Sequence, residues 1–256
     1  MIQSNSMLTT DNEVNVICDT IEYYDNKAPL EGLIAYVEKD KKRKPGVLVV
    51  HEWTGIGTFV KNKAIELAKM GYIAMCADIY GKGVRPTNFE EASIVSSIYR
   101  NDRSLLRHRL LLALNQLKKI KFVDTNNIAA IGFCFGGMAA LELGRANAEI
   151  KGVVSFHGSL ETPEEFKAKH INPKILVLHG SEDPLIPQSE VLTFVDEMRS
   201  SQADWQIHIY GGAYHSFMNP EAGDNKDMGI AYNEKIAERA WIQMQSFFDE
   251  IFFKNI

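Results

Sequence analysis

The segment Gly132-Phe133-Cys134-Phe135-Gly136-Gly137 lies where a predicted strand, 127–133, meets a predicted helix, 136–148. Its Gly-x-Cys-x-Gly pattern is typical of a tight strand-to-helix turn that carries a nucleophile. The flanking glycines leave room for the strand and the helix to approach each other closely. Such a turn places the sulfur at the carboxyl edge of a sheet, beside a helix N-terminus that favours a thiolate. Taken alone, the pattern also fits a small buried cysteine.

Strands and helices alternate along the chain on both sides of this turn. Short apolar runs predict further strands at 46–50, 73–77, 152–156, 174–178 and 205–210. Amphipathic segments predict further helices at 58–70, 90–99, 103–118, 189–200 and 231–248. This alternation predicts an α/β fold with a mostly parallel central sheet and helices on both faces.

The N-terminal region has a different pattern. Segments 15–24 and 32–37 flank a turn at 25–27, which predicts an antiparallel hairpin at the edge of the sheet. No linker, repeat or low-complexity tract interrupts the chain, so we predict one domain over residues 1–256 without a cap domain. Residues 1–14 are polar and are expected to form a flexible extension.

The composition narrows the classes of partner. The formal net charge is −5 and the basic residues are dispersed, which argues against a nucleic-acid partner. No apolar run approaches the ~20 residues that span a bilayer, and the first residues lack a secretory signal pattern. We therefore expect a cytoplasmic protein without membrane contact. Cys18, Cys76 and Cys134 show no CxxC spacing, which argues against a disulfide framework or a zinc site.

Two side chains downstream of Cys134 complete a candidate catalytic set. Asp183 follows the strand predicted at 174–178, and His215 follows the strand predicted at 205–210. The order nucleophile, acid, histidine is that of the α/β-hydrolase fold. His215 can take the thiol proton and return it to a leaving oxygen, while an acid orients the imidazole. Glu182 competes for the acid role, but the two prolines after Asp183 predict a rigid turn that favours Asp183.

Such a nucleophile also needs an oxyanion hole. In this fold one N–H comes from the residue after the nucleophile and a second from the loop after an early strand. These positions predict Phe135 for the first N–H and, within the segment 51–55, Trp53 for the second.

Several motifs together resemble one family, the dienelactone hydrolases or carboxymethylenebutenolidases, from about residue 17 to 250. They are V-V-H-E-W-T-G-I at 49–56, A-D-I-Y-G-K-G at 77–83, I-G-F-C-F-G-G at 131–137, H-G-S-E-D-P-L-I-P at 179–187 and Y-H-S-F-M-N-P at 214–220. The resemblance implies a Cys-His-Asp triad, no metal and no cofactor. It also implies hydrolysis of a small lactone or ester through a thioester, by a monomer or weak homodimer.

The resemblance further implies that Glu52 lies beside the resting Cys134, where a carboxylate suppresses the free thiolate. An ordinary loop carboxylate is the alternative interpretation. The best-known members of the family grip a substrate carboxylate with two arginines. Here Asn219 stands where the second would be, and only Lys82 and Arg85 are available for the first. Dienelactone itself is therefore not the expected substrate.

Six residues are expected to line the substrate pocket: Tyr80, Lys82, Arg85, His157, Tyr214 and Phe217. His51 and His179 also follow predicted strands, but they lack metal-ligand spacing, so structural roles are expected for them. A second hypothesis for function is a redox-sensing thiol that does not turn over substrate. His215 discriminates between the two hypotheses, because a sensor needs no general acid for a leaving group.

Overall fold

The computed structural model describes residues 15–37 and 42–254, so the extension predicted for residues 1–14 lies outside the described residues. The described strands form an eight-stranded sheet in the order β1-β2-β4-β3-β5-β6-β7-β8. Their bounds are β1 Val16–Asp25, β2 Ala28–Val37, β3 Lys44–Val50, β4 Ile73–Ala77, β5 Val123–Phe133, β6 Gly152–Phe156, β7 Lys174–Gly180 and β8 Trp205–Tyr210. β3 to β8 run parallel, which confirms the predicted mostly parallel sheet.

The first two strands form the predicted antiparallel hairpin at the sheet edge, and β2 also pairs antiparallel with β4. The hairpin is longer than predicted, since β2 begins at Ala28, which pairs with Asp25 across a two-residue turn. Asn26 takes the left-handed conformation that this tight turn needs, with φ of 53°. Residues 28–31 are therefore strand, although a proline and a glutamate interrupt their apolar pattern.

Six helices cover the two faces of this sheet within the described residues. They are α1 Thr58–Lys69, α2 Phe89–Asn101, α3 Arg103–Lys119, α4 Phe135–Arg145, α5 Gln188–Ser200 and α6 Glu234–Phe253. α1 and α6 bury their apolar sides in one core cluster, and α3, α4 and α5 bury theirs in another. The sheet therefore lies between two apolar layers. Strands that are continuous apolar runs, without alternating polar residues, predict such a sheet covered on both faces.

Two helix boundaries differ from the prediction for local reasons. α6 begins at Glu234 because the Asn233 side chain caps it by accepting from the Ile236 N–H. The preceding residues form a short hairpin of β9 Asp224–Asn225 and β10 Ile230–Ala231. α4 ends at Arg145, and Asn147 then turns left-handed with φ of 52°. No helix among the described residues is long and apolar enough to cross a membrane.

Candidate active site

Cys134 occupies a strained turn between β5 and α4. Its φ and ψ are 54° and −116°, a conformation that costs free energy in a residue other than glycine. The turn is close-packed, because a Cβ on Gly132 would lie 1.9 Å from the Gly136 oxygen. A Cβ on Gly136 would in turn lie 2.3 Å from the Val50 oxygen. Only glycine fits at these two positions, and the packing holds Cys134 at the end of the sheet.

Asp183, His215 and Cys134 lie in one chain of contacts at the carboxyl ends of β5, β7 and β8. His215 Nδ1 lies 2.8 Å from Asp183 Oδ2, and His215 Nε2 lies 3.2 Å from Cys134 Sγ. Asp183 and His215 are buried, whereas Cys134 is half-buried. Glu182, the competing acid, accepts a hydrogen bond from Ser181 instead. The structure thus brings the three residues singled out from the sequence within hydrogen-bonding distance.

The electrostatic environment of His215 favours its protonated form. Burial alone would lower the pKa of His215, but the charge of the Cys134 sulfur and the hydrogen bond to Asp183 outweigh burial and raise it to about 10. Both ring nitrogens of an imidazolium are donors. The carboxylate and the sulfur then act as acceptors, so the geometry suits a thiolate–imidazolium pair supported by a carboxylate.

Two backbone N–H groups, those of Phe135 and Trp53, are the predicted donors to an oxyanion. Phe135 is the first residue of α4, and neither its N–H nor that of Trp53 has a hydrogen-bond partner in the described part of the chain. The Trp53 peptide is held in place because its carbonyl accepts from the Tyr80 hydroxyl at 3.0 Å. The Cys134 N–H is already used, since it is shared between the Phe156 oxygen at 3.0 Å and His157 Nδ1 at 3.1 Å. Phe135 and Trp53 therefore stay the candidates for the oxyanion hole.

Glu52 pairs with Asn219 in this structure. Its Oε2 accepts a hydrogen bond from Asn219 Nδ2 at 2.6 Å, and both side chains are buried. Burial raises the pKa of Glu52 to about 7, against the smaller lowering effects of the Asn219 amide and the charge on His215. The sulfur of Cys134 contacts His215, so the resting contact between Glu52 and Cys134 that the resemblance implies stays a prediction. Glu52 and Asn219 line a cavity of about 250 Å³ that also includes Trp53.

His157 and Phe217 lie against the candidate triad. His157 Nδ1 accepts the Cys134 N–H at 3.1 Å, and the His157 ring lies 5.3 Å from the ring of His215 and 5.2 Å from that of Phe217. Burial holds the pKa of His157 well below its usual range, so the ring is neutral. The sequence predicts a pocket-wall or hydrogen-bonded structural role for His157 without naming its partner. Its hydrogen bond to the backbone of Cys134 depends on the register of β5 and β6, which no local motif reveals.

His51 has the structural role expected for it. Its Nε2 accepts from the Ile79 N–H at 3.3 Å, and its Nδ1 lies 2.6 Å from the Glu52 carbonyl oxygen. Burial lowers the pKa of His51 to about 4, so the neutral ring donates from Nδ1 to Glu52. The bond from Ile79 joins the end of β3 to the loop after β4, and the bond to Glu52 orients the ring. Within the described residues, no group of three or more His, Cys, Asp or Glu side chains is arranged to hold a metal ion.

The expected anion-binding side chains are engaged with protein groups. Lys82 forms ion pairs with Glu22 and Glu31 of the N-terminal hairpin. Arg85 donates to the Val84 oxygen at 2.7 Å and to the Gly81 oxygen at 3.3 Å. It also lies 3.7 Å from the buried Asp78 carboxylate. Lys82 is therefore bound to the N-terminal hairpin. Arg85 is bound to other residues of the loop after β4.

The two tyrosines expected in the pocket lie in different places. Tyr80 is buried and packs against Phe135. Its hydroxyl donates to the Trp53 carbonyl, so Tyr80 contacts both residues of the candidate oxyanion hole. Tyr214 lines a different cleft, together with Glu182 and Tyr232. The structure thus brings Tyr80 to the site and leaves Tyr214 outside the cavity next to Glu52.

Comparison with known proteins identifies the family. The model of the dienelactone hydrolase family matches residues 31–252. The chain belongs to this family. Members of this hydrolase family act on small ester or lactone substrates, and this chain shares with them the α/β-hydrolase fold.

Individual proteins that are similar to this chain agree with its assignment to the dienelactone hydrolase family. A Bradyrhizobium protein named "Probable 2-oxo-3-(5-oxofuran-2-ylidene)propanoate lactonase" is 30% identical over 224 residues, covering 82% of this chain and 86% of the relative. A solved dienelactone hydrolase-like promiscuous phosphotriesterase from metagenomic libraries is 33% identical, with a TM-score of 0.87 over 92% of this chain and 98% of that one. A Pyrococcus horikoshii acylaminoacyl peptidase, 14% identical with a TM-score of 0.71, covers 94% of this chain and 42% of that one and shares only the fold.

Proposed function

We propose that this protein hydrolyses a neutral carboxylic ester or lactone by acyl transfer to Cys134. The observation that carries the proposal is the chain of contacts from Asp183 through His215 to the Cys134 sulfur. A thiolate paired with an imidazolium is nucleophilic near neutral pH, and the same imidazolium supplies the proton that a leaving alkoxide needs.

The first half-reaction acylates the sulfur. The Cys134 thiolate attacks the carbonyl carbon, a C–S bond forms, and the carbonyl electrons move to oxygen. The N–H groups of Phe135 and Trp53 donate to this oxyanion, and each such donor contributes about 2.7–4 kcal/mol in enzymes where it has been removed. The oxyanion then collapses, the ester C–O bond breaks, and the proton on His215 Nε2 passes to the leaving oxygen. In a lactone the new hydroxyl stays attached to the acyl group.

The second half-reaction releases the acid. Neutral His215 accepts a proton from water, and the resulting hydroxide attacks the thioester carbon. The C–S bond breaks, the sulfur leaves as a thiolate beside the imidazolium, and the product is a carboxylic acid. Asp183 keeps its hydrogen bond to Nδ1 throughout, so Nε2 faces the sulfur and the water in both half-reactions.

The charges around the site favour a neutral substrate. Lys82 and Arg85 are held by acidic side chains and carbonyls, and the Asn219 amide is bound to Glu52. The rim is apolar, because the Trp53 ring packs at 4.7 Å on Phe89, a side chain that is 65% exposed. An anionic substrate would therefore find no free cation of this set, whereas an apolar acyl group would bury surface on the two rings.

A panel of paired substrates tests this proposal. Neutral aryl esters and lactones are compared with analogues that differ only by an added carboxylate, and kcat/KM is measured for each pair. We expect the neutral member to react at least about tenfold faster, which is about 1.4 kcal/mol of discrimination. Preference for the carboxylate member would contradict the proposed substrate class while leaving the acylation of Cys134 intact.

Phosphotriester hydrolysis is a second candidate activity. It is supported by the 33% identity to the dienelactone hydrolase-like promiscuous phosphotriesterase. The thiolate of Cys134 would attack phosphorus, the P–O bond to the leaving group would break, and water would then cleave the S–P bond. A phosphotriester with an aryl leaving group tests it: repeated turnover supports the activity, whereas one equivalent of released phenol followed by arrest excludes hydrolysis and leaves only trapping.

A further inference from the structure

A group of arginines, two of them buried and two half-buried, lies on α2, α3 and α4 near the loop after β6, apart from the catalytic residues. We call Arg100, Arg103, Arg107 and Arg145 the arginine cluster. Arg145 is fully engaged: it donates from Nε and Nη2 to Glu197 at 2.8 Å each, from Nη1 to Glu142 at 3.1 Å, and also to the Leu160 carbonyl.

Arg107 is satisfied in the same way. Its Nε donates to Glu142 at 2.8 Å, and its Nη2 donates to the Phe166 carbonyl at 2.7 Å. Arg107 and Arg145 together bind the carboxylate of Glu142, which is fully buried. These bonds attach the loop after β6 to α3 and α4.

Arg103 is the exception in the cluster. Its side chain is only 8% exposed, yet its Nε and Nη1 are buried with no hydrogen-bond partner among the described residues. The carboxylate oxygen paired with it, Glu142 Oε1, lies 3.8 Å from Nε, and that oxygen also receives Arg145. Buried donors are nearly always hydrogen-bonded, because leaving them unpaired costs free energy.

The charges around Arg103 leave a positive excess. Three arginines, Arg103, Arg107 and Arg145, share the buried carboxylates of Glu142 and Glu197. Arg100 has neither an ion pair nor a hydrogen bond within the described residues, and its guanidinium lies 5.6 Å from the centre of the Phe135 ring. Burial is the largest effect that lowers the pKa of Arg103, and the neighbouring charges of Arg145, Arg100 and Arg107 lower it further, against the raising effect of Glu142.

A cleft of about 340 Å³ opens beside Arg103. Arg103, Thr162, Lys167 and Glu190 are among its lining residues. The Thr162 hydroxyl is a second buried polar atom without a partner, so two orphan groups line the same cleft. The lining residues do not overlap with those of the cavity beside Glu52.

Other charges face the cleft as well, and most are already compensated. Glu190 Oε1 accepts from the Ser159 hydroxyl and from the backbone N–H groups of Leu160 and Glu161. Glu197 is held by Arg145, and Lys167 pairs with Glu164, which leaves the exposed Glu161 facing the cleft. Arg103 is therefore the buried lining charge without a hydrogen bond.

From these observations we infer that the cleft beside Arg103 binds the anionic group, carboxylate or phosphate, of a small ligand at a second site. The guanidinium of Arg103 would donate charge-assisted hydrogen bonds to the anion, with the Thr162 hydroxyl as a further donor. The bound anion would also balance the excess charge of the arginine cluster. This site is independent of the proposed esterase activity.

Binding of inorganic phosphate and of acetate tests the inference. Each salt is titrated at constant ionic strength into the wild-type protein, Arg103→Met and Thr162→Val, with heat of binding and melting temperature as readouts. Arg199→Met is the control, because it removes an arginine that is 70% exposed on α5. We expect saturable binding of at least one anion, unchanged in R199M and weakened about tenfold or more in R103M. Phosphate and acetate distinguish the two kinds of anionic group.

The melting temperatures of the wild type and R103M, with and without added anion, give a further readout. An arginine with a purely structural role would not give the pattern expected here. Without added anion, R103M is expected to melt at or above the wild-type temperature, because it removes a buried charge that lacks hydrogen bonds. Added anion should raise the melting temperature of the wild type but not that of R103M. If the wild type shows no saturable binding, the cleft holds only water and the inference is overturned. Undiminished binding by R103M would overturn it as well.

Discussion

The side-chain amide of Asn219 donates a 2.6 Å hydrogen bond to the carboxylate of Glu52, 167 residues earlier in the chain. This bond turns Glu52 toward the loop after β8, while the Cys134 sulfur pairs with His215. Because the side chain is buried, the pKa of Glu52 is raised to about 7, so its charge changes near neutral pH where it interacts with the charge on His215.

The raised pKa of Glu52 predicts a pH-dependent stability. The folded state binds the Glu52 proton more tightly than the unfolded state, so Glu52 destabilises the fold increasingly as the pH rises from about 4.5 to about 7. Glu52→Gln removes this penalty and keeps an acceptor for Asn219. Between about pH 5 and about pH 8 we expect E52Q to gain about 2 kcal/mol in free energy of unfolding relative to the wild type.

Urea unfolding at the two pH values checks this expectation, with Glu238→Gln, an exposed residue of α6, as the control for loss of one charge. E238Q should follow the wild type at both pH values. A gain of E52Q that does not change with pH would contradict a raised pKa at Glu52.

The close packing of the turn at Cys134 predicts a severe effect of one added methyl group. Gly132→Ala would place a Cβ 1.9 Å from the Gly136 oxygen, so strand and helix must separate. We expect a loss of at least about 3 kcal/mol in the free energy of unfolding, or failure to fold. Gly57→Ala is the matched control, since a Cβ there meets nothing within 4 Å. Equal stability of G132A and G57A would refute the packing described for the turn.

The buried ion network predicts a large difference between two glutamates. Glu142→Gln removes a fully buried carboxylate that receives Arg107 and Arg145, so Arg107 loses its carboxylate partner and Arg145 keeps only Glu197. We expect a loss of about 3–5 kcal/mol in the free energy of unfolding. Glu149→Gln breaks an ion pair whose carboxylate is 91% exposed and should leave the free energy of unfolding almost unchanged. Denaturant unfolding of the two variants at one pH measures the contrast; similar losses would contradict it.

The pairing of His215 with Cys134 predicts the reactivity of the thiol. In the protein with Cys18→Ala, iodoacetamide should label Cys134 at about pH 7 about tenfold or more faster than in the same protein with His215→Gln, because the imidazolium of His215 favours the thiolate. Intact mass after timed quenching measures the rates.

The same variants separate the two hypotheses for function. A hydrolase should lose ester turnover in H215Q, since His215 is the group that protonates the leaving oxygen in the proposed mechanism. A redox sensor should show rapid labelling in the wild type without turnover of any ester or lactone. That second outcome would favour the sensor.

The parts of the site that are local in sequence could be predicted from it. The glycines around Cys134 determine a turn, and the positions of Asp183 and His215 after strand ends place all three at one edge of a parallel sheet. The alternation of apolar and amphipathic runs likewise predicted the sheet and its two helical layers.

The remaining features depend on contacts between distant segments. The partner of Glu52 is Asn219, and the partners of Lys82 are Glu22 and Glu31 in the N-terminal hairpin. A carboxylate or an ammonium group can pair in several directions, and only the packed structure selects one. Local patterns therefore identified the chemistry of these residues but not their partners.

The most direct test of the central claim is kcat/KM for a neutral ester or lactone that the wild type turns over, measured for Cys134→Ala beside Cys18→Ala. Cys18 lies exposed on β1, so C18A controls for loss of a thiol. We predict that C18A retains the wild-type value and that C134A loses at least about three orders of magnitude, as expected when a covalent nucleophile is removed. Equal kcat/KM for C134A and C18A would contradict acyl transfer to Cys134.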